Sequence, residues 1–438
     1  MATTTDGGDP ATGTAEAGAP PPPDAPDAAA DDDGRLLRGS EGYRRLSVAM
    51  FAAGLATFAL LYTTQPLLPL LTRDLHVSPA ASSLTLSVTT GALALGLLPA
   101  GWLSDAVGRM RVMSWSLLLS GVLALVAAAA PSFATLLVVR ALQGLALAGL
   151  PAVAMAYLTE EVHPTSLGSS IGLYIGGNAL GGMGGRLVGG ALADVGGWRV
   201  SLLGVGVLSL LCTAVFLRLV PGSRYFHARP FRARETLTSL RGHLEDRGQL
   251  RLDAMAALLM GTFVAVFNAL GFRLEAAPYG LGQTAIAAVF LVYPVGSVAS
   301  AVSGRLADRI GRRTMLPVGV LLAAVGLALT LLHPLPVVIL GVATLTAGFF
   351  AAHSVASSWV GRRAVEAPAQ ASALYLLAYY AGSSVAGPLG GTAWTAGRWT
   401  GVVLLGAALL GLALLVSLRL RVTPPLRRAA EFRPHASA

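Results

Sequence analysis

Twelve runs of predominantly apolar residues follow one another along this chain, and their length leaves few folds open. They lie near residues 46–71, 82–100, 112–131, 133–158, 167–192, 199–220, 253–274, 284–303, 314–333, 335–360, 370–394 and 400–420. A helix rising about 1.5 Å per residue needs about twenty residues to cross the ~30 Å hydrocarbon core of a bilayer. Inside lipid each backbone N–H and C=O must find its partner within the protein, which helices achieve segment by segment. Only 12% of the residues are charged, against roughly 25% in a soluble domain. The expected fold is therefore all-α and integral to a membrane, with 12 transmembrane helices.

Charge placement orients those helices. All 31 basic residues are arginine. Twenty-five fall in the terminal segments or in the loops that follow even-numbered spans. Arg73, Arg199, Arg273 and Arg398 fall on the opposite side, and Arg140 and Arg186 fall inside spans. Cationic loops stay in the cytoplasm, so both termini are expected there. The net charge of +9 is thus accounted for by topology, and nucleic acid is not an expected partner. Without lysine there is no Schiff-base or P-loop chemistry, and the single Cys212 allows neither a disulfide framework nor a thiolate metal cluster. No nucleophile–base set or phosphate loop stands out. The chain is read as no enzyme, with no catalytic residue, cofactor or metal site.

Five segments follow. Residues 1–45 are rich in Ala, Pro, Gly, Thr and Asp and hold no apolar run, which predicts a disordered cytoplasmic tail. Residues 46–220 and 253–420 carry six spans each. Residues 221–252 form a basic linker whose arginines suit an anionic leaflet, and its stretch from Arg232 to Arg241 has the pattern of a short amphipathic helix. Residues 421–438 are a second cytoplasmic tail.

Two loops carry the most specific signal. Gly101-Trp-Leu-Ser-Asp105-Ala-Val-Gly108-Arg109 returns as Gly304-Arg-Leu-Ala-Asp308-Arg-Ile-Gly311-Arg312-Arg313, between spans two and three and again between eight and nine. A carboxylate four residues before an arginine, in a glycine-bounded turn, can pair in one conformation and release in another. This repeated G-x-x-x-D-x-x-G-R loop resembles the major facilitator superfamily, and the resemblance runs from Tyr43 to Arg421. It implies two pseudo-symmetric six-helix bundles that alternate access to a central site. It also implies that Gly101, Asp105, Gly108, Arg109, Gly304, Asp308, Gly311, Arg312 and Arg313 form a cytoplasmic gate. The first copy is the poorer match, with Ala106 where the second has Arg309.

Arg140-Ala-Leu-Gln143-Gly144 in span four resembles the R-x-x-Q-G motif of proton-driven exporters in that superfamily, which implies coupling roles for Arg140, Gln143 and Gly144. The glycine-rich fifth span, with Gly177, Gly181 and Gly185, resembles the drug-exporter motif G-x-x-x-G-P-x-x-G-G, although Gly182 replaces the proline and Arg186 the last glycine. A closer copy, Gly387-Pro388-Leu-Gly390-Gly391, lies in span eleven. Small residues at this density let helices approach closely. The fifth span and the run from Phe349 to Arg363 resemble the drug and arabinose efflux subgroup, which implies a multi-pass protein of the bacterial cytoplasmic (inner) membrane.

Polar groups inside spans mark the expected substrate cavity: Tyr62, Gln65, Asn178, Arg186, Asn268, Tyr293, Tyr375 and Tyr379. The resemblance implies that spans one, four, seven and ten line it, which adds Arg140 and His353. Arg186 has two readings, pairing with an anionic substrate or bonding to carbonyls where helices cross. No Asp or Glu lies in the middle of a span, so the candidate proton carriers are His353, the membrane-end acids Asp74, Asp253 and Glu275, or the substrate itself. The expected function is proton-coupled efflux of small organic compounds, drugs or toxic metabolites. The alternative is export of sugars or organic anions; a non-transporting receptor would need a folded soluble partner domain. The expected partners are the lipid bilayer, a small-molecule substrate and protons, and the chain is expected to be a monomer.

Overall fold

The computed structural model describes residues 34–226, 228, 233–364 and 367–424. The expectations for the tails before residue 34 and after residue 424 lie outside the described residues. Fourteen helices follow in order: α1 (Glu41–Tyr62), α2 (Leu68–Asp74), α3 (Pro79–Val107), α4 (Arg109–Ala128), α5 (Phe133–Leu147), α6 (Gly149–Glu161), α7 (Pro164–Leu219), α8 (Ala233–Glu245), α9 (Arg247–Glu275), α10 (Gln283–Ala288), α11 (Tyr293–Ile310), α12 (Arg312–Leu329), α13 (Leu335–Arg363) and α14 (Pro368–Arg421). Ten helical segments are long and apolar enough to cross a bilayer, and two of these are double. Helix α7 folds back at Gly196–Gly197, where Gly197 takes φ 73°, and α14 does so at Gly397–Arg398. Leu192 consequently lies against Gly204, twelve residues further on, which a straight helix forbids. The twelve crossings are therefore present.

Proline decides where the spans are irregular. The first run was expected to be one helix over 46–71; instead α1 ends at Tyr62 and a turn precedes α2. Pro66 has no N–H to give back to Tyr62 and disfavours helical geometry at Gln65. Span four breaks at Ala148 between α5 and α6, where Pro151 withholds the N–H that Leu147 would accept. Span eight is α10, a 3₁₀ turn over Val289–Val292 and α11, with Pro294 in the first turn of α11.

The chain is ordered earlier than the composition of its tail predicts. Leu36 pairs with Val162 as a bridge, its N–H donating to the Glu161 carbonyl at 3.0 Å. Ser40 caps α1 by accepting from the Tyr43 N–H at 3.2 Å. The second half likewise begins before residue 253, because Asp246 caps α9. The expected linker helix is α8, which runs four residues beyond Arg241.

Glycine stripes set the helix spacing. A Cβ on Gly177, Gly181 or Gly185 would come within 2.5 Å of the backbone of Phe51, Leu55 or Ala59 in α1. The second half repeats the device between spans eleven and seven, where Gly382 and Gly390 face the backbone of Ala257 and Ala265 and Gly261 faces Ala386. Two backbones this close gain dispersion contacts that lipid tails cannot supply. Gly387 and Gly391 do a different job: they face Ser87 and Ala80 of span two, across the boundary between the halves.

That boundary is closed on one face only. Every hydrogen bond that joins the halves among the described residues lies away from the face carrying α8. They are Gln65 to Asn268, Arg73 to Glu275, Ser384 to Ser87, and Asp194 to the start of α10. Towards α8, by contrast, Gly168, Gly172 and Gly176 of span five and Gly304 of span eight have nothing within 4 Å of a Cβ position. The halves form a V that is joined on the far face and open on the linker face.

Candidate functional site

The broken first span organises the interior. The last carbonyls of a helix have no partner in their own helix, so Leu60 and Leu61 need donors from elsewhere. Arg140 supplies them, with Nη1 donating to Leu60 O at 3.1 Å and Nη2 to Leu61 O at 3.0 Å. Its Nε donates to Thr85 O at 3.0 Å, and Nη1 also reaches Gln143 Oε1 at 2.6 Å. Gln143 in turn donates to Ser120 O at 2.8 Å. A cation at the negative end of the α1 dipole is favourably placed. Arg140 is 1% exposed and lies behind the cavity, not on its wall. Gly144, the last residue of that motif, admits the Thr89 carbonyl to within 2.2 Å of a Cβ position.

Gln65 lies in the break itself and faces both ways. Its Nε2 donates to Asn268 Oδ1 of span seven at 2.8 Å, and its Oε1 accepts from Arg186 Nε at 2.8 Å. Arg186 Nη1 donates to Gly182 O, one turn back in its own helix, at 2.5 Å. Above the guanidinium carbon lie the ring faces of Tyr62 at 4.2 Å, Phe290 at 4.6 Å and Tyr293 at 5.0 Å. Such faces attract a cation without neutralising it.

Gln65, Arg186, Tyr62 and Tyr293 are part of the wall of a cavity of about 270 Å³ between the halves. Of the residues expected there, Tyr62, Gln65, Asn178, Arg186, Tyr293 and Tyr379 are on the wall, together with His353. Asn268 and Tyr375 stand one hydrogen bond behind it, Asn268 on Gln65 and Tyr375 on His353 Nδ1 at 3.0 Å. The sequence reading passed over the apolar part of the wall, including Phe58, Met260, Phe263, Phe349 and Phe350. Phe263 stacks on Phe349 at 4.2 Å, and Phe349 stacks on the His353 ring at 5.7 Å. A phenylalanine inside an apolar span looks like any core or lipid-facing residue, so only the helix rotations reveal this cluster.

The repeated loops lie at the linker face. Gly108 takes φ 104° and Gly311 φ 87°, a region that favours glycine, and each joins two helices with no further residue between them. Asp105 accepts from Arg109 at 2.5 Å, and Arg109 also pairs with Glu160 at the end of span four at 2.9 Å. In the second copy Asp308 lies 3.3 Å from Arg312 and 3.9 Å from Arg362, and is largely exposed. Arg313 turns away from Asp308 and donates to Thr423 O at 2.7 Å. Gly101 and Gly304 have open space where a Cβ would stand. Among the described residues, the ion pairs of both copies lie within their own half.

Sequence reasoning missed one buried pair on that face. Arg363, the last residue of α13, forks onto Asp246 with two bonds of 2.6 Å, stacking over Gly248, where a Cβ would collide with the guanidinium. Burial by itself would raise the Asp246 carboxyl, but the bonds from Arg363 and from the Gly248 and Gln249 N–H groups hold it below the usual carboxylate range.

Comparison with known proteins fits this arrangement. The sequence model of the Major Facilitator Superfamily matches residues 46–300 and 275–437. The chain is 47% identical to the uncharacterized MFS-type transporter YybF of Bacillus subtilis, over 84% of this chain and 91% of that protein. It is 42% identical to the inner membrane transport protein YnfM of Escherichia coli, over 93% of this chain and 98% of that protein. Among solved structures, a bacterial homolog of the human lysosomal transporter Spinster superposes with a TM-score of 0.71 at 16% identity, covering 87% of this chain and 97% of that one. The nucleoside transporter NupG gives 0.71 at 14% identity, over 86% and 99%.

Proposed function

This chain belongs to the major facilitator superfamily, and on that premise we propose that it exports small organic compounds across the bacterial cytoplasmic membrane by alternating access. The observation that carries the reading is the aromatic cavity between two halves that are bonded on one face and apart on the other. With the arginine-rich linker face in the cytoplasm, this is the inward-open state, ready to load from inside. Closing the linker face while breaking the far-face bonds would expose the same cavity outside. The repeated loops are then the cytoplasmic gate, whose ion pairs are free to exchange partners as the halves approach.

Protons are the proposed counter-ion. His353 supports this: among the described residues it is the one imidazole on the cavity wall, held by Tyr375, and no carboxylate stands beside it there. Arg140 enters indirectly, as the fixed cap that keeps the first span broken next to Gln65. The test is substrate-induced proton movement in inverted vesicles, using cells deprived of their own exporters to find the substrate. The expected result is dissipation of a preset pH gradient when substrate is added, and a flattened pH dependence in His353→Gln. Transport with no accompanying proton movement would overturn the coupling, and ligand binding without movement across the bilayer would overturn the transporter reading.

A further inference from the structure

Arg186 is a buried cation without an anion. It is 2% exposed, and among the described residues it takes part in no ion pair. Its two hydrogen bonds use Nε and one proton of Nη1, on the neutral oxygens of Gln65 and Gly182. Nη2 donates to nothing. The hydroxyl of Tyr293, whose ring lies against the guanidinium, is also without a partner. A charge removed from water is costly unless it is paired, and neutral acceptors with ring faces offset only part of that cost. The site is therefore short of one negative charge and of hydrogen-bond acceptors.

The rest of the wall defines what else the missing group carries. Among the described residues no Asp or Glu lines the cavity to neutralise a cationic ligand, and Arg186 would repel one. The wall also carries Phe58, Met260, Phe263, Phe349, Phe350 and Leu376, beside the weakly polar Ser297, His353 and Tyr379, which suits an aromatic body. A single guanidinium fork matches a planar carboxylate; a phosphate dianion would call for a second cation. The volume of about 270 Å³ restricts the ligand to a small molecule.

We propose that this cavity selects small amphipathic organic monocarboxylates, with the carboxylate on Arg186 and the Tyr293 hydroxyl and the apolar body against the Phe263–Phe349–Phe350 cluster. The assignment rests on the transporter reading above and names its substrate class.

Three indole probes of similar size test it on the full chain in lipid nanodiscs: indole-3-acetate, its isosteric neutral amide indole-3-acetamide, and the cation tryptamine. Calorimetry is expected to show the carboxylate binding about tenfold or more tighter than the amide, and tryptamine weaker still. Arg186→Gln should abolish that preference, bringing carboxylate affinity down to about the level of the amide in the same variant. Arg186→Lys should keep part of it, and Tyr293→Phe should reduce it by several-fold. The unfolding temperature of each variant separates loss of binding from loss of fold. Tryptamine binding as well as indole-3-acetate, an anion preference that survives Arg186→Gln, or no binding of any probe would overturn the proposal. Movement of the neutral or cationic probe across proteoliposomes as fast as that of the carboxylate would sink the substrate class while keeping the transporter. Tight carboxylate binding with no movement would do the reverse.

Discussion

Arg140 and Arg186 are both arginines deep in spans, yet their surroundings give them opposite work. Arg140 spends its donors on the carbonyls of Leu60, Leu61 and Thr85 and on Gln143, so it holds structure together. Arg186 keeps Nη2 unspent at a cavity wall. Truncating Arg140 leaves three carbonyls with one bond fewer in a buried interior, at roughly 1–3 kcal/mol for each buried group left unsatisfied. Arg140→Ala should therefore lower the unfolding temperature in detergent markedly, with Arg140→Lys intermediate because an ammonium cannot fork to all of these oxygens. Normal thermal stability in Arg140→Ala, combined with lost uphill export, would give Arg140 a direct coupling role in place of the cap.

Between elements, two contacts are poised to change. On the far face, the Asp194 carboxylate at the end of span five accepts from the Gln283 N–H at 3.0 Å, the Thr284 N–H at 2.9 Å and the Thr284 hydroxyl at 2.6 Å. It caps α10 of the other half, where the helix N-terminus favours negative charge. Asp194→Asn should weaken this cross-half cap and shift the population toward far-face opening. Thiol labelling of an engineered far-face cysteine, in a background where the sole Cys212 is replaced, should then speed up; an unchanged labelling rate would mean the cap does not hold that face. On the linker face, the depressed Asp246 carboxyl works through a different variable. Because its folded value lies below the unfolded value of about 3.9, its pair with Arg363 stabilises at and above that pH and is lost as pH falls through the folded value. Unfolding temperature should accordingly be insensitive to this pair from neutral pH down to mild acid. A wild-type advantage over Asp246→Asn should shrink only in stronger acid, and an advantage that vanished near neutrality would contradict the depressed value.

Over the whole molecule, one asymmetry in arginine placement and one in inter-half bonding bear on the same axis. Reporter fusions after Leu250 and after Ala277 should report opposite sides of the membrane, the first cytoplasmic. The same side for both would break the twelve-span topology. Two of the four far-side arginines also serve as caps, Arg199 donating to Ala130 O at 2.8 Å and Arg273 to Leu332 O at 2.9 Å, at the ends of spans three and nine. Their exclusion from the linker face thus has a local use as well as a topological one.

Much of this architecture was legible because lipid imposes it residue by residue. Run length fixed the crossings, arginine bias gave an orientation to test, and the spacing of Gly177, Gly181 and Gly185 marked a close helix contact whose partner is α1. Ordering of the chain from Leu36 onward was not legible, because it depends on Val162, far away in sequence. Nor was the division of labour between the two buried arginines, since hydropathy and motif spacing say how deep a residue lies but not which way its helix is turned. The break at Pro66 creates the orphan carbonyls that occupy Arg140, and the rotation of span five brings Arg186 to Gln65, the rings and the cavity. Whether a buried charge is satisfied or waiting for a ligand depends on contacts between segments distant in sequence, and only the packed structure determines those.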